Sequence, residues 1–112
     1  MEAAINPTWQ HSIRRDGDVC SVVLSGELDL GLGDTLTDLL AEQIRWPGTA
    51  VVRVDLAAVT FLDSWAIGVL VRSRQAAAAD GCRFFVSNPH GHVRRVLDVA
   101  GVLPTLSAEP SH

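Results

Sequence analysis

The chain has 112 residues, 47% of them hydrophobic and 20% charged, with a formal net charge of −4. That length supports one continuous core and is too short for two domains. The acidic balance excludes an electrostatic footprint for nucleic acid or an anionic lipid surface, so any partner must be recognised locally.

Two cysteines, Cys20 and Cys82, lie far apart in apolar runs. They have neither the density of a disulfide framework nor a Cys-x-x-Cys spacing, and they read as buried small hydrophobes in a reducing compartment. The start, Met1 to Pro7, has no basic segment followed by an apolar one. The longest apolar stretch, Trp65 to Val71, is far below spanning length, so a cytoplasmic protein without membrane insertion is expected.

In chain order, residues 1–8 carry no periodic pattern and read as a flexible tail. Trp9, His11 and Ile13 then alternate, Asp16-Gly17 supplies tight-turn chemistry, and Cys20, Val22 and Leu24 alternate again, which predicts an opening β-hairpin. From Gly31 the period changes: Leu32, Leu36, Leu39, Leu40 and Ile44 share one helical face until Trp46-Pro47-Gly48 ends it. The run Val51 to Leu56 is nearly continuous in apolar character, as expected for a central strand covered on both faces. A short link through Val59, Phe61 and Leu62 leads to Asp63-Ser64, where a capping residue meets Ala66, Ile67, Leu70 and Val71 at helical spacing.

That second helix should run to about Ala79 and close at Asp80-Gly81. Cys82 to Ser87 reads as another strand, Asn88-Pro89 breaks the chain, and Val93, Val96, Leu97 and Ala100 form a third helical stripe ending at Gly101. The expected fold is α/β in the order β-β-α-β-α-β-α, with room for a last short strand near Thr105. One domain over residues 9–106 then carries a mixed sheet with right-handed crossovers and an antiparallel edge, and residues 107–112 form a second tail.

Three segments in order resemble the STAS domain, in particular the bacterial anti-sigma factor antagonists: Gly26-Glu-Leu-Asp29, Val54-Asp-Leu-Ala-Ala-Val-Thr-Phe-Leu-Asp-Ser64, and Val96-Leu-Asp-Val-Ala-Gly-Val-Leu103. The middle segment is the specific one. The resemblance implies a STAS-like fold in which Ser64, the serine after the aspartate, is phosphorylated by a GHKL-type serine kinase that is also the anti-sigma factor. It further implies that the unphosphorylated protein binds this kinase and so frees a sigma factor. A PP2C-like phosphatase would restore the binding form.

The residues support such a switch independently. A phosphate at a helix start accepts free backbone N–H groups and meets the positive end of the helix dipole, so the fold tolerates it. At an interface the same group adds nearly two negative charges beside Asp63 and close to Asp29, which penalises docking. Helical spacing puts Trp65, Gly68, Val69 and Arg72 on one stripe beginning next to Ser64, with Ile67, Leu70 and Val71 toward the sheet, and this stripe is the expected docking face. The chain departs from the family pattern in having Trp65-Ala-Ile-Gly68 where a Ser or Thr precedes Gly-Leu-Gly. The indole either blocks the usual kinase, anchors a different partner, or folds against a neighbouring loop.

Other readings compete. Ser64 could be a plain N-cap, and Asp29 a strand-end carboxylate. A hydrolase would make Ser64 a nucleophile, but Gly-x-Ser-x-Gly is absent, and no enzyme activity is expected. An accessory STAS subunit of a transporter or lipid-trafficking complex, or a stress-signalling scaffold, would keep the fold without phosphorylation. His90-Gly-His92 has no third ligand at a suitable spacing, and Gly31-Leu-Gly33 lacks the third glycine of a dinucleotide loop, so neither a metal nor a cofactor is expected. Arg14-Arg15 and Arg94-Arg95 read as solvated faces.

Overall fold

A computed structural model describes residues 9–29 and 34–107. The expected tail 1–8, residues 108–112 of the expected tail 107–112, and the Gly31-Leu32-Gly33 segment lie outside them, whereas Ser107 is not tail but the last residue of a helix. Strands β1 (Trp9–Asp16) and β2 (Val19–Leu28) form the antiparallel hairpin around Gly17-Asp18, with Gly17 at φ +63°. Helix α1 (Thr35–Arg45) follows, then β3 (Val51–Leu62), α2 (Ser64–Ala79), β4 (Arg83–Ser87), α3 (Gly91–Val99) and α4 (Leu103–Ser107).

The sheet order is β1-β2-β3-β4, with β2, β3 and β4 parallel. Both crossovers step in the same direction, so right-handedness places α1 and α2 on one face, where they touch each other. That face holds the core: Cys20, Val22 and Leu24 of β2, Val52, Val54 and Leu56 of β3, and Phe84 and Val86 of β4, covered by Leu36, Leu40, Leu70 and Leu97. The α1 residues Leu36, Leu40, Gln43 and Ile44 are buried at the spacing of one helical stripe. Proline at position 47 forces Trp46 into extended backbone (φ −61°, ψ 128°), which ends the helix.

Several expectations are corrected. Strand β3 does not stop at Leu56 but continues to Leu62, and the expected link is strand. Its pairing with β2 slips between Val23 and Ser25 and again between Gly26 and Glu27, each slip adding a residue on β3. Such bulges shift the inward positions to Val59 and Leu62 and hide the strand's period of two. Nor is β3 covered on both faces: Val52 and Val54 are buried, whereas Arg53 is exposed and gives a hydrogen bond to Ser21 Oγ at 2.9 Å. The expected last strand is the short helix α4, because Leu103 and Leu106 are both buried and a three-residue step suits a helical turn. Ser107 closes that helix, its hydroxyl donating to Leu103 O.

Arg15 is not part of a solvated face. Its guanidinium donates to Gln43 Oε1 at 2.6 Å and Thr49 Oγ1 at 2.8 Å and lies 4.4 Å from the Trp46 ring centroid. This bracket ties β1 to the end of α1 and satisfies the buried Gln43.

Burial pushes both thiols above the ordinary value of 9.0; at Cys82 the nearby Asp80 and Cys20 add to this. The unfolded chain therefore ionises first. It binds fewer protons than the folded one above pH 9, so stability falls as pH rises through that range. With no tyrosine, and arginine for every basic residue besides histidine, the thiols carry this titration. The urea midpoint should decline from pH 8 to 10, and less steeply in Cys82→Ala; a parent midpoint independent of pH would contradict the assignment.

Candidate functional site

The C-terminal ends of the parallel strands β2 and β3 meet where α2 begins. Leu28 pairs with Leu62, and the Asp63 N–H continues the ladder to Leu28 O at 3.1 Å. Asp29 and Asp63 each follow directly on the last pair of these strands. Both are half-buried.

Asp63 is still extended (φ −103°, ψ 178°), and its carboxylate accepts from Ala66 N at 2.9 Å while its carbonyl receives Ile67 N at 3.0 Å. The N-cap is therefore Asp63. Ser64 is the first helical residue, exposed, and its hydroxyl makes no hydrogen bond among the described residues. The plain-cap account of Ser64 is thereby replaced: the capping work belongs to its neighbour. Asp63→Ala should cost about 1 kcal/mol of stability, whereas Ser64→Ala should stay within about 0.5 kcal/mol of the parent. Urea denaturation of the two variants checks this, and equal losses would contradict it.

The stripe running from Ser64 is narrower than expected. Val69 is 1% exposed and belongs to the core, so it cannot offer a docking surface. Five residues on from Ser64 the helix has turned by about 140°. Helix α2 is covered by α1, β4 and α4, which together bury Ala66, Ile67, Val69, Leu70, Ser73 and Ala77. Val71, expected toward the sheet, is half-buried. Trp65 is half-buried and packs against the core, which favours the packed indole over a freely presented one. Ser64, Gly68 and Arg72 remain in line along the outer side, with Arg72 exposed.

Sequence reasoning missed the start of α3 as a neighbour of this site. Phe61, two residues before Asp63, is partly exposed and stacks on His92, with ring centroids 5.2 Å apart and planes 9° apart. His90 Nε2 is 2.6 Å from Ala57 O, and Asn88 Nδ2 donates to Asp55 Oδ1 at 3.1 Å. The two histidines are thus engaged separately, one with a carbonyl and one with an aromatic ring. No spacing rule in the sequence joins Phe61 to His92; tertiary packing does. Among the described residues, no group of three or more metal-binding side chains comes together, and no helix is long and apolar enough to cross a membrane.

A sequence search of curated proteins gave no match. Among solved structures the chain is similar to the anti-sigma factor antagonist SpoIIAA in its unphosphorylated form, with a TM-score of 0.75, 18% identity, and 92% of this chain and 90% of that one covered. It is similar to an anti-sigma factor antagonist from Mycobacterium paratuberculosis, with a TM-score of 0.74, 20% identity, and coverage of 92% and 86%. The phosphorylated form of Bacillus SpoIIAA gives a TM-score of 0.68 at 17% identity, covering 92% and 93%. At these identities the likeness establishes the fold. A model of the STAS domain matches residues 10–112, and with the mixed sheet and its helices in place the chain belongs to the STAS domain family.

Proposed function

We propose that this domain is an anti-sigma factor antagonist acting by partner switching in the cytoplasm. With Ser64 unmodified it binds an anti-sigma factor that is also a GHKL-type serine kinase, and a sigma factor is released. Phosphorylation of Ser64 ends that binding, and a PP2C-like phosphatase restores it. The observation that carries the reading is the division of labour at the start of α2: Asp63 caps the helix, leaving the Ser64 hydroxyl exposed and without a hydrogen bond among the described residues. Ser64 accepts phosphate and is not a nucleophile that turns over, so the protein works by association.

Asp29 and Asp63 border the acceptor, and the outer line through Gly68 to Arg72 continues from it. Trp65 contributes at its exposed margin. Incubation with ATP and the anti-sigma kinase of the same organism, followed by intact mass and peptide mapping, should show one phosphate on Ser64. Modification elsewhere, or none by a kinase active on another substrate, would overturn the reading. Retention of a transporter component in place of the kinase would point to the accessory-subunit alternative.

A further inference from the structure

A helix interior normally disfavours glycine, yet α2 carries one at position 68, a single turn beyond Ser64. The space left by the missing side chain is filled. A Cβ built on Gly68 would lie 3.0 Å from Arg72 Nη1, 3.8 Å from its Cζ and 3.9 Å from its Nη2. The whole guanidinium is therefore laid back along the helix over Gly68, in the direction that helical side chains lean. Arg72 is exposed, and among the described residues no ion pair or hydrogen bond explains this posture.

We propose that Arg72 is the internal receptor for a phosphate on Ser64, with Gly68 as the open shelf that lets the guanidinium approach it. The inference rests on the reading of Ser64 as the phosphate acceptor. Gly68 is about 6 Å along the axis from Ser64, so a guanidinium laid over it stands one helical turn from a phosphate there, a separation shorter than the Debye length of about 8 Å. A guanidinium offers paired donors that match phosphate oxygens. Phosphorylation would then do two things to the outer face of α2. It adds negative charge at one end, and it engages an exposed arginine that the unmodified protein leaves available to its partner.

The test uses the full chain with phosphoserine incorporated at position 64 during translation, so that no kinase is needed. A seryl phosphate ordinarily loses its second proton near pH 6. Titration followed by phosphorus NMR should place that step lower in the parent than in Arg72→Gln by about half a pH unit or more, with Arg72→Lys between them. The helix start, Asp29 and Asp63 are common to all three proteins and cancel in the comparison. Coincident titrations of the parent and Arg72→Gln would overturn the proposal. Failure of the kinase to modify Ser64 would instead remove the switching role while leaving this titration difference intact, so the two readings fail separately.

Discussion

Ser64→Glu should weaken binding of the anti-sigma kinase at least about 100-fold, while Ser64→Ala should bind as the parent does. Moving a partner from almost fully bound to almost fully free requires about 5.5 kcal/mol of differential affinity. The helix dipole supplies about 0.3 to 1 kcal/mol, and it acts on the free protein in the stabilising direction. The remainder must come from the interface, where added charge meets Asp29 and Asp63 on its own side and must be desolvated against the partner. Glutamate brings about half the charge of a phosphate, so about half the free energy is expected, which gives the 100-fold figure. Because a carboxylate at the first position of α2 suits the helix start, Ser64→Glu should fold at least as stably as the parent. Calorimetric titration of the three proteins with the kinase checks this, and equal affinities for the alanine and glutamate variants would sink the electrostatic mechanism.

Val69→Asp should be close to unfolding, with a loss of more than about 3 kcal/mol, against a total stability of about 5 to 15 kcal/mol for a domain of this kind. Val69 is enclosed among core side chains. A carboxylate there has no described basic residue within the core to pair with, and it must either stay desolvated or take up a proton. Leu70→Ala, at a fully buried neighbour, gives a scale for the comparison at about 2 to 5 kcal/mol. Were Val69 part of a docking face, the aspartate would be tolerated and would alter binding instead. Urea midpoints of both variants distinguish the outcomes.

Much of the fold was legible because its period was clean. The β1–β2 hairpin showed as alternation around Asp16-Gly17, α1 as a leucine stripe stopped by Pro47, and α2 as a run from Asp63-Ser64 to Asp80-Gly81. What failed had physical causes. The bulged half of β3 breaks its own alternation, so Ala57 to Leu62 looked like a link. Leu103 and Leu106 are too short a pattern to separate a turn of helix from a strand. For the site, the start of a helix at Asp63-Ser64 directly after a strand was legible from the capping residue and the helical spacing that follows it. Val69 was misplaced because a single buried stripe was assumed for a helix that is covered on several sides. The positions of Arg15, Phe61 and His92 depend on contacts across about 30 residues, which local patterns do not encode.

Strand β4 pairs with β3 over Val51 to Asp55, and the bulged half of β3 extends beyond it. In a sheet protein such a bare rim invites another chain to add itself and begin aggregation. Here it is guarded. The bulges distort the rim, His90 occupies the Ala57 carbonyl, and the Phe61–His92 stack lies across its end. The start of α3 therefore serves as a stopper on the sheet beside Asp63 and Ser64. Loosening it would cost the protein solubility before it cost the fold.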